Sequence, residues 1–412
     1  MTTARCLSCH ATVHLDEESL QCPICEGNLW IRENPPERDR FLAIRPEHLA
    51  CDGLWVFRDS LPVSHVPSAL KAMPIGGSPL VPWESEARAL GVEGLWLKDD
   101  TRLPSCSFKD RATAVVLART LNQGGRVLAT ASTGNAGCST ACLGAMAGVS
   151  TVVFVPARAP ANKVAQLQYF GARVIQVNGS YDDAFDLCKA VCKARGWANR
   201  STGLNPFTRE GKKTVSFEIC CQMGFRVPDV VVVPTGDGNI LSGVYKGFLE
   251  LMLAGVSDHM PRLLAIQSSS SNALMQAWER CQRGTPAPDA LMAVSSSSVA
   301  DSICVDLPRD GLAALEAVSR TQGDIMEVAD REILSAMADI PARTGIFVEP
   351  AAAAGIAGLR AWVCGQQTET LSDLQVVCLL TGNGLKDPQA ATSLLPVPLR
   401  VPADPDEVLR LL

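Results

Sequence analysis

The sequence predicts an α/β protein whose parallel sheets carry helices on both faces, preceded by a small module held by cysteines. Three observations predict it. From about residue 76, short β-branched runs alternate with Ala-rich helical windows. Four cysteines near the amino terminus fall into two closely spaced pairs. The 412 residues, 47% apolar and 19% charged, supply more than one core and imply two or three domains.

The elements follow in chain order. Cys6-Leu-Ser-Cys9 and Cys22-Pro-Ile-Cys25 are two knuckles, each presenting two thiolates from a tight turn. Together Cys6, Cys9, Cys22 and Cys25 complete a tetrahedral four-sulfur site, with zinc ahead of iron. Four thiolates leave no open coordination position, so the metal is expected to be structural and to drive folding of the module. Arg32–Arg40, rich in proline and charge, reads as a linker. Buried strands are expected at Val127–Ala129, Thr151–Val155, Arg173–Val177, Val230–Val233, Leu263–Ile266 and Val376–Leu380. Helices are expected at Ala112–Leu121, Ala136–Ala147, Ala161–Phe170, Tyr181–Arg195, Lys212–Met223 and Leu241–Leu253. The serine runs Ser268–Ser271 and Ser295–Ser298 read as loops.

Bulk properties narrow the function. A net charge of −6 gives no footprint for nucleic acid or an anionic membrane. The apolar stretch Gly345–Cys364 is interrupted by Glu349 and Arg360, so it does not read as a span. Met1–Arg5 leads into cysteines rather than an apolar run, which does not read as a signal peptide. Apart from the four knuckle residues, the 16 cysteines lie mostly in apolar segments, which suits a reducing cytoplasm. None of the five histidines falls in a glycine-rich segment, which argues against a Ser-His-Asp or Cys-His hydrolase built there. Small-molecule chemistry fits best.

Four segments carry that chemistry. Pro104–Arg111 places Lys109 at the start of a helix, where the dipole and nearby Arg111 favour a neutral, nucleophilic amine. Ala131–Gly137 follows a strand and opens a helix, so its backbone N–H groups, with Ser132, Thr133 and Gly134, form a carboxylate site; Asn135 is placed to reach a polar ring substituent. Val233–Gly243 carries Gly236 and Gly238, which let successive amides face one anion. No Gly-Lys-Ser/Thr follows, so it is not a Walker loop. Leu379–Asp387 brings the Thr381 hydroxyl out of an apolar run into a glycine turn, in position to meet a ring nitrogen.

Taken in this order, the segments resemble the β-family (fold type II, tryptophan synthase β-like) of pyridoxal-phosphate (PLP) enzymes, and within it the threonine synthases. The likeness includes Gly77–Leu80, Lys98–Asp100, Ser107–Arg111, Ser132–Asn135, Asn205–Thr214, Gly345–Pro350 and Thr381–Asp387. The resemblance implies that Lys109 bonds PLP covalently with Phe108 beside the ring, that Asn135 meets the phenolic oxygen, and that Gly236, Asp237, Gly238, Asn239 and Ile240 hold the phosphate. Thr381 would meet the pyridine nitrogen. It also implies two three-layer domains with parallel or mixed sheets, of residues 36–118 with 207–412 and an inserted 119–206, behind a zinc ribbon of residues 1–35. A homodimer acting on an amino acid with a β or γ leaving group is expected.

The sequence departs from the family pattern where a substrate phosphate is held. Ala136 replaces a threonine, Gly203 a serine and Thr208 an arginine (Arg209 lies one place along), and Asp237 stands where asparagine is common. Each lost charge-assisted contact costs about 1.5–3 kcal/mol, so the grip on O-phosphohomoserine is expected to be weakened. Val299–Pro308 resembles a stretch of serine and threonine dehydratases, and the cysteine knuckles recur in cysteate synthase. Dehydration and β-replacement therefore stand beside threonine formation, and a non-catalytic binding protein that keeps the fold is the competing class.

Overall fold

The computed structural model describes residues 3–15, 20–366, 371–393, 395 and 398–411. The amino-terminal module is a three-stranded antiparallel sheet with β1 (Thr3–Cys6) between β2 (Thr12–His14) and β3 (Leu29–Ile31). Its own core is Ala4, Cys6, Cys22 and Leu29. Trp30 already belongs to the main core.

The segment after β3 is not the linker that its composition suggests. Glu37 caps a helix at Arg38–Leu42 through the N–H groups of Asp39 and Arg40. The Asn34 N–H donates to the buried Glu250 at 3.1 Å, and Phe41 packs against Phe57 and Phe217. Proline and charge do not make a free linker when the main core supplies buried partners.

The strands of the main body are β4 (Leu80–Pro82), β5 (Gly94–Asp99), β6 (Val127–Ala131), β7 (Ser150–Pro156), β8 (Arg173–Val177), β9 (Ala198–Asn199), β10 (Val230–Pro234), β11 (Arg262–Ser268), β12 (Asp324–Val328) and β13 (Gln375–Leu380). They form a four-stranded parallel sheet, order β8-β7-β6-β9, and a six-stranded sheet, order β12-β11-β10-β13-β5-β4. Only the edge pair β4–β5 of the larger sheet is antiparallel. Both faces of this sheet are covered. Val231 and Val233 of β10 enter one core while Val230 and Val232 enter another, and β13 splits in the same way between Val377 with Leu379 and Val376 with Cys378. That is the three-layer arrangement expected of buried parallel strands.

Four strands escape the hydrophobic pattern: β4, β5, β9 and β12. The cause is clearest in β5, where Lys98 and Asp99 are buried beside Leu95 and Leu97. Lys98 reaches Glu218 at 2.7 Å, and Glu218 also holds Arg111 at 2.6 Å, so a buried ion network replaces the apolar run. Where one helix is expected at Lys212–Met223, two occur, Phe207–Lys212 and Thr214–Gln222. Among the described residues no helix is long and apolar enough to cross a membrane.

The chain leaves β10 towards β11 on one side, while β13 lies on the other. The carboxyl ends of β10 and β13 therefore flank a topological switch point, where α/β proteins hold their ligands.

Candidate active site

Lys109 is the first residue of the helix Lys109–Asn122. The turn before it is clamped from two sides. Asp110 accepts from the Ser105 N–H at 2.7 Å and the Ser105 hydroxyl at 2.5 Å. The Phe108 N–H donates to the Thr381 carbonyl at 2.9 Å, and the Asn383 N–H to the Cys106 carbonyl at 3.1 Å. Cys106 takes a left-handed φ of 60°, a strained conformation for a side-chain-bearing residue. The result is a fixed lysine.

Among the described residues the Lys109 amine enters no hydrogen bond or ion pair. Burial depresses its pKa most strongly; Glu349 pulls it back up, Arg200 lowers it further and Asp237 raises it. Arg111 does not act on it as expected. Its guanidinium is fully buried between Asp100 and Glu218, at 2.6 Å from each, and that charge is spent inside the ion network. The cation that presses on Lys109 is Arg200, which donates to the Lys109 carbonyl at 3.3 Å, Thr113 at 3.0 Å and Thr202 at 2.8 Å. These acceptors are all neutral, and burial lowers Arg200 to about 10.

The turn after β6 places Asn135 at the first position of the helix Asn135–Ala147. Its amide donates to both oxygens of Glu349, at 2.8 and 3.0 Å, and to Ser302 at 3.1 Å. The Glu349 carboxyl is raised by burial, with Asn135 and Lys109 pulling it back down. The N–H groups of Thr133, Gly134 and Asn135 find no protein acceptor among the described residues, an open anion site. Gly137 allows the tight turn, since a Cβ there would lie 2.0 Å from the Ser132 carbonyl oxygen. Ala136 is half-buried one residue further on. Thr133, Gly134, Asn135, Ser302, Glu349 and Lys386 line a small cleft open to solvent.

The turn after β10 has the form of a phosphate cradle. Gly238 sits at φ 87° immediately before the helix Asn239–Leu253, and a Cβ there would meet the Asp310 carbonyl at 2.9 Å. At Gly236 a Cβ would come 2.7 Å from the Ile303 backbone. The N–H groups of Gly236, Asp237, Gly238 and Asn239 donate to no protein acceptor among the described residues. Asp237 does not leave a bare charge in the cradle: its carboxylate accepts the Arg309 N–H at 2.7 Å, and burial pushes its pKa up. Ile240 is half-buried in the first helical turn. Thr381 is buried, and its hydroxyl has no protein partner among the described residues. An unpaired amine, a free hydroxyl and a row of free amides on glycines suit a phosphorylated ring aldehyde.

Phe108, Lys109, Asn135, Asp237 and Thr381 are thus brought together, and Thr208 lies beside the cradle. Its hydroxyl donates to the Asn205 carbonyl at 2.7 Å and lies 3.3 Å from the Asn239 amide oxygen. Arg209 does not stand in for the missing arginine. It pairs with Asp310 at 2.5 Å, donates to the Leu29 carbonyl at 3.0 Å and stacks on Trp30. Sequence reasoning gave no role to Glu349, Ser302, Arg200, Lys212 and Asp310. Glu349, Ser302 and Lys212 lie in quoted segments, and for Glu349 an ionisable residue inside an apolar stretch was the available signal.

In the amino-terminal module, Cys6, Cys9, Cys22 and Cys25 have their sulfurs within 4.8 Å of one another. The Cys6–Cys25 and Cys9–Cys22 separations are 3.5 and 3.6 Å. A tetrahedral zinc with sulfur at ~2.3 Å requires roughly 3.8 Å, so the four thiols fit such an ion. His10 and Glu26, each following a knuckle, take left-handed φ values of 61° and 57° that turn the chain back under the sulfurs. Cys138, Cys142, Cys188 and Cys192 are buried, as apolar packing predicts.

Residues 71–382 match the model of the pyridoxal-phosphate-dependent enzyme family. The threonine synthase of Methanocaldococcus jannaschii is 33% identical over 409 residues, covering 99% of this chain and 98% of that protein. That of Methanosarcina acetivorans is 34% identical over 409 residues, covering 98% and 97%. Among solved structures, the L-serine ammonia-lyase of Rhizomucor miehei superposes with a TM-score of 0.64 at 18% identity, covering 74% of this chain and 93% of that one. The processed threonine deaminase isoform 2 of Solanum lycopersicum gives 0.62 at 19%, covering 74% and 79%. These two establish the fold alone. With its lysine, cradle and full-length relatives in agreement, the chain belongs to the pyridoxal-phosphate-dependent enzyme family.

Proposed function

We propose that the protein is a threonine-synthase-like lyase that eliminates a β or γ leaving group from an amino acid and adds water or another nucleophile. The observation that carries this reading is the unpartnered Lys109 amine, set beside Asn135 and Glu349 and within electrostatic reach of Asp237 in the cradle. Bound here, the cofactor would supply the electron sink that lets a bond at Cα break. Lys109 Nζ would hold its aldehyde carbon between turnovers and, once released by the substrate amine, take the Cα proton. The 236–239 amides would hold the phosphate, Asn135 the phenolic oxygen, and Thr381 Oγ1 the ring nitrogen. The free N–H groups of 133–135, with Ser132 beside them, bind the substrate carboxylate. Glu349, kept protonated more readily by burial, is placed to give or receive a proton near Lys109 Nζ.

Residues 119–206 act as the smaller domain, closing on the larger one to exclude water. The contacts Lys163–Asp301, at 2.6 Å, and Arg309–Asp182 bridge that cleft. The cysteine module holds structural zinc, the enzyme works as a homodimer, and the free cysteines suit a reducing cytoplasm. O-phosphohomoserine is the family default, yet the chain has Ala136, Gly203 and Thr208 where that substrate's phosphate is normally gripped. The neutral Thr208 favours a second reading, dehydration of serine or threonine. Product analysis with O-phosphohomoserine, O-phosphoserine, serine and threonine separates them. We expect O-phosphohomoserine to be turned over poorly, and rapid conversion to threonine would defeat that expectation.

A further inference from the structure

Four lysines are fully buried among the described residues: Lys98, Lys212, Lys213 and Lys246. Three of them have carboxylate partners within 4 Å. Lys98 meets Glu218 at 2.7 Å, Lys213 meets Glu210 and Glu250 at 2.8 Å each, and Lys246 meets Glu210 at 2.6 Å. Lys212 has none. Its Nζ makes one hydrogen bond, 2.6 Å to the amide oxygen of Asn239, a neutral group. Two of its three N–H donors have no protein acceptor among the described residues, and a buried, unpaired ammonium is costly to maintain.

The position of that amine is built in. Asn239 is the first residue after the cradle glycines, and its amide is locked by a second bond from Nδ2 to Asp310 at 2.8 Å. One turn along the same helix, Gly243 lets the lysine stem approach: a Cβ at 243 would stand 2.7 Å from the Lys212 Cβ. Any side chain there would push the stem away. The charged groups acting on Lys212 are Lys109, Arg200, Asp237 and Asp310, and neither carboxylate lies within 4 Å. Lys212 thus sits beside the turn without a counter-charge, and burial, with Lys109 and Arg200 nearby, pulls its pKa well below the ordinary lysine value.

We propose that Lys212 is a direct ligand of the phosphate held by the 236–239 turn, and that this phosphate is the cofactor's. The inference rests on the cofactor reading above and adds a cation that the glycine turn alone does not supply. The bond to Asn239, a residue of the turn itself, favours the cofactor's phosphate over one carried by a substrate.

The test compares PLP with pyridoxal, which has the same aldehyde and ring but no phosphate. The full-length protein, stripped of cofactor, is titrated with each, following the absorbance band near ~410–420 nm. For Lys212→Met, PLP affinity should fall about tenfold or more, the loss expected of one charge-assisted contact, while pyridoxal affinity should change less than about twofold. Lys212→Arg should recover most of the PLP affinity. Equal losses for both aldehydes would mean a merely structural role, and no loss for either would mean no role; each overturns the proposal. An unchanged PLP-to-pyridoxal ratio with a raised KM for O-phosphoserine in the PLP-saturated enzyme would assign Lys212 to a substrate phosphate, and also overturns it. If wild-type protein forms no band with either aldehyde, the cofactor reading fails first.

Discussion

At the scale of single residues, the site depends on charges arranged so that one amine stays neutral. Burial and the Arg200 guanidinium lower the Lys109 pKa, while Glu349 and Asp237 oppose them. The neutral fraction that attacks an aldehyde therefore persists at lower pH than for a free lysine, and is lost as pH falls through the depressed value. The rate of band formation with PLP should follow that titration, with a midpoint below 10.5. Arg200→Gln removes a charge that depresses the amine, so the midpoint should move to higher pH; a shift to lower pH contradicts the assignment. Lys109, Asn135 and Gly236–Ile240 were legible in the sequence because each lies in a short segment joining a strand to a helix, where chain order and geometry coincide. Glu349, Arg200 and Lys212 were not. They reach the site from elements distant in sequence, and although Glu349 and Lys212 lie in quoted segments, the sequence does not say which distant residues they meet.

At the scale of elements, the cysteine module is joined to the cradle by named hydrogen bonds. The Leu29 carbonyl in β3 accepts from Arg209, which pairs with Asp310. Asp310 in turn accepts from Asn239 at 2.8 Å and from Ser242 at 2.7 Å. Asn28 Nδ2 donates to the Arg309 carbonyl at 2.5 Å, while the Arg309 N–H holds the Asp237 carboxylate. Lys246 bonds the Ile31 carbonyl from the other side. Unfolding the module thus frees the segment that supports the turn. Removing metal with a strong chelator, or replacing Cys22 by Ser, should weaken PLP binding as well as lower the melting temperature. An unchanged PLP affinity in chelated, metal-free protein would show the module to be independent. The knuckles were readable from spacing, but this attachment was not, because a run of prolines and charges looks like a linker until its partners Glu250, Phe57 and Phe217 are in place.

At the scale of the whole molecule, the strand–helix alternation gave the parallel cores of both sheets, since buried β-branched runs such as Val230–Val233 announce themselves. Strand order was not readable. β13 pairs with β5 from far along the chain, and β5 carries Lys98 and Asp99 into the interior. A pattern based on apolar runs misses a strand whose charges are paired with Glu218 and Arg102. That fold sets the carboxyl ends of β6, β10 and β13 around one cleft, so that turns at 132–135, 235–239 and 381–383 converge on a lysine contributed by a separate segment. The central claim is that convergence. Its most direct test adds PLP to the full-length protein and to Lys109→Ala and records the absorption spectrum. A band near ~410–420 nm in the wild type that is absent from the variant is the predicted result; no band in the wild type, or the same band in both, would contradict it.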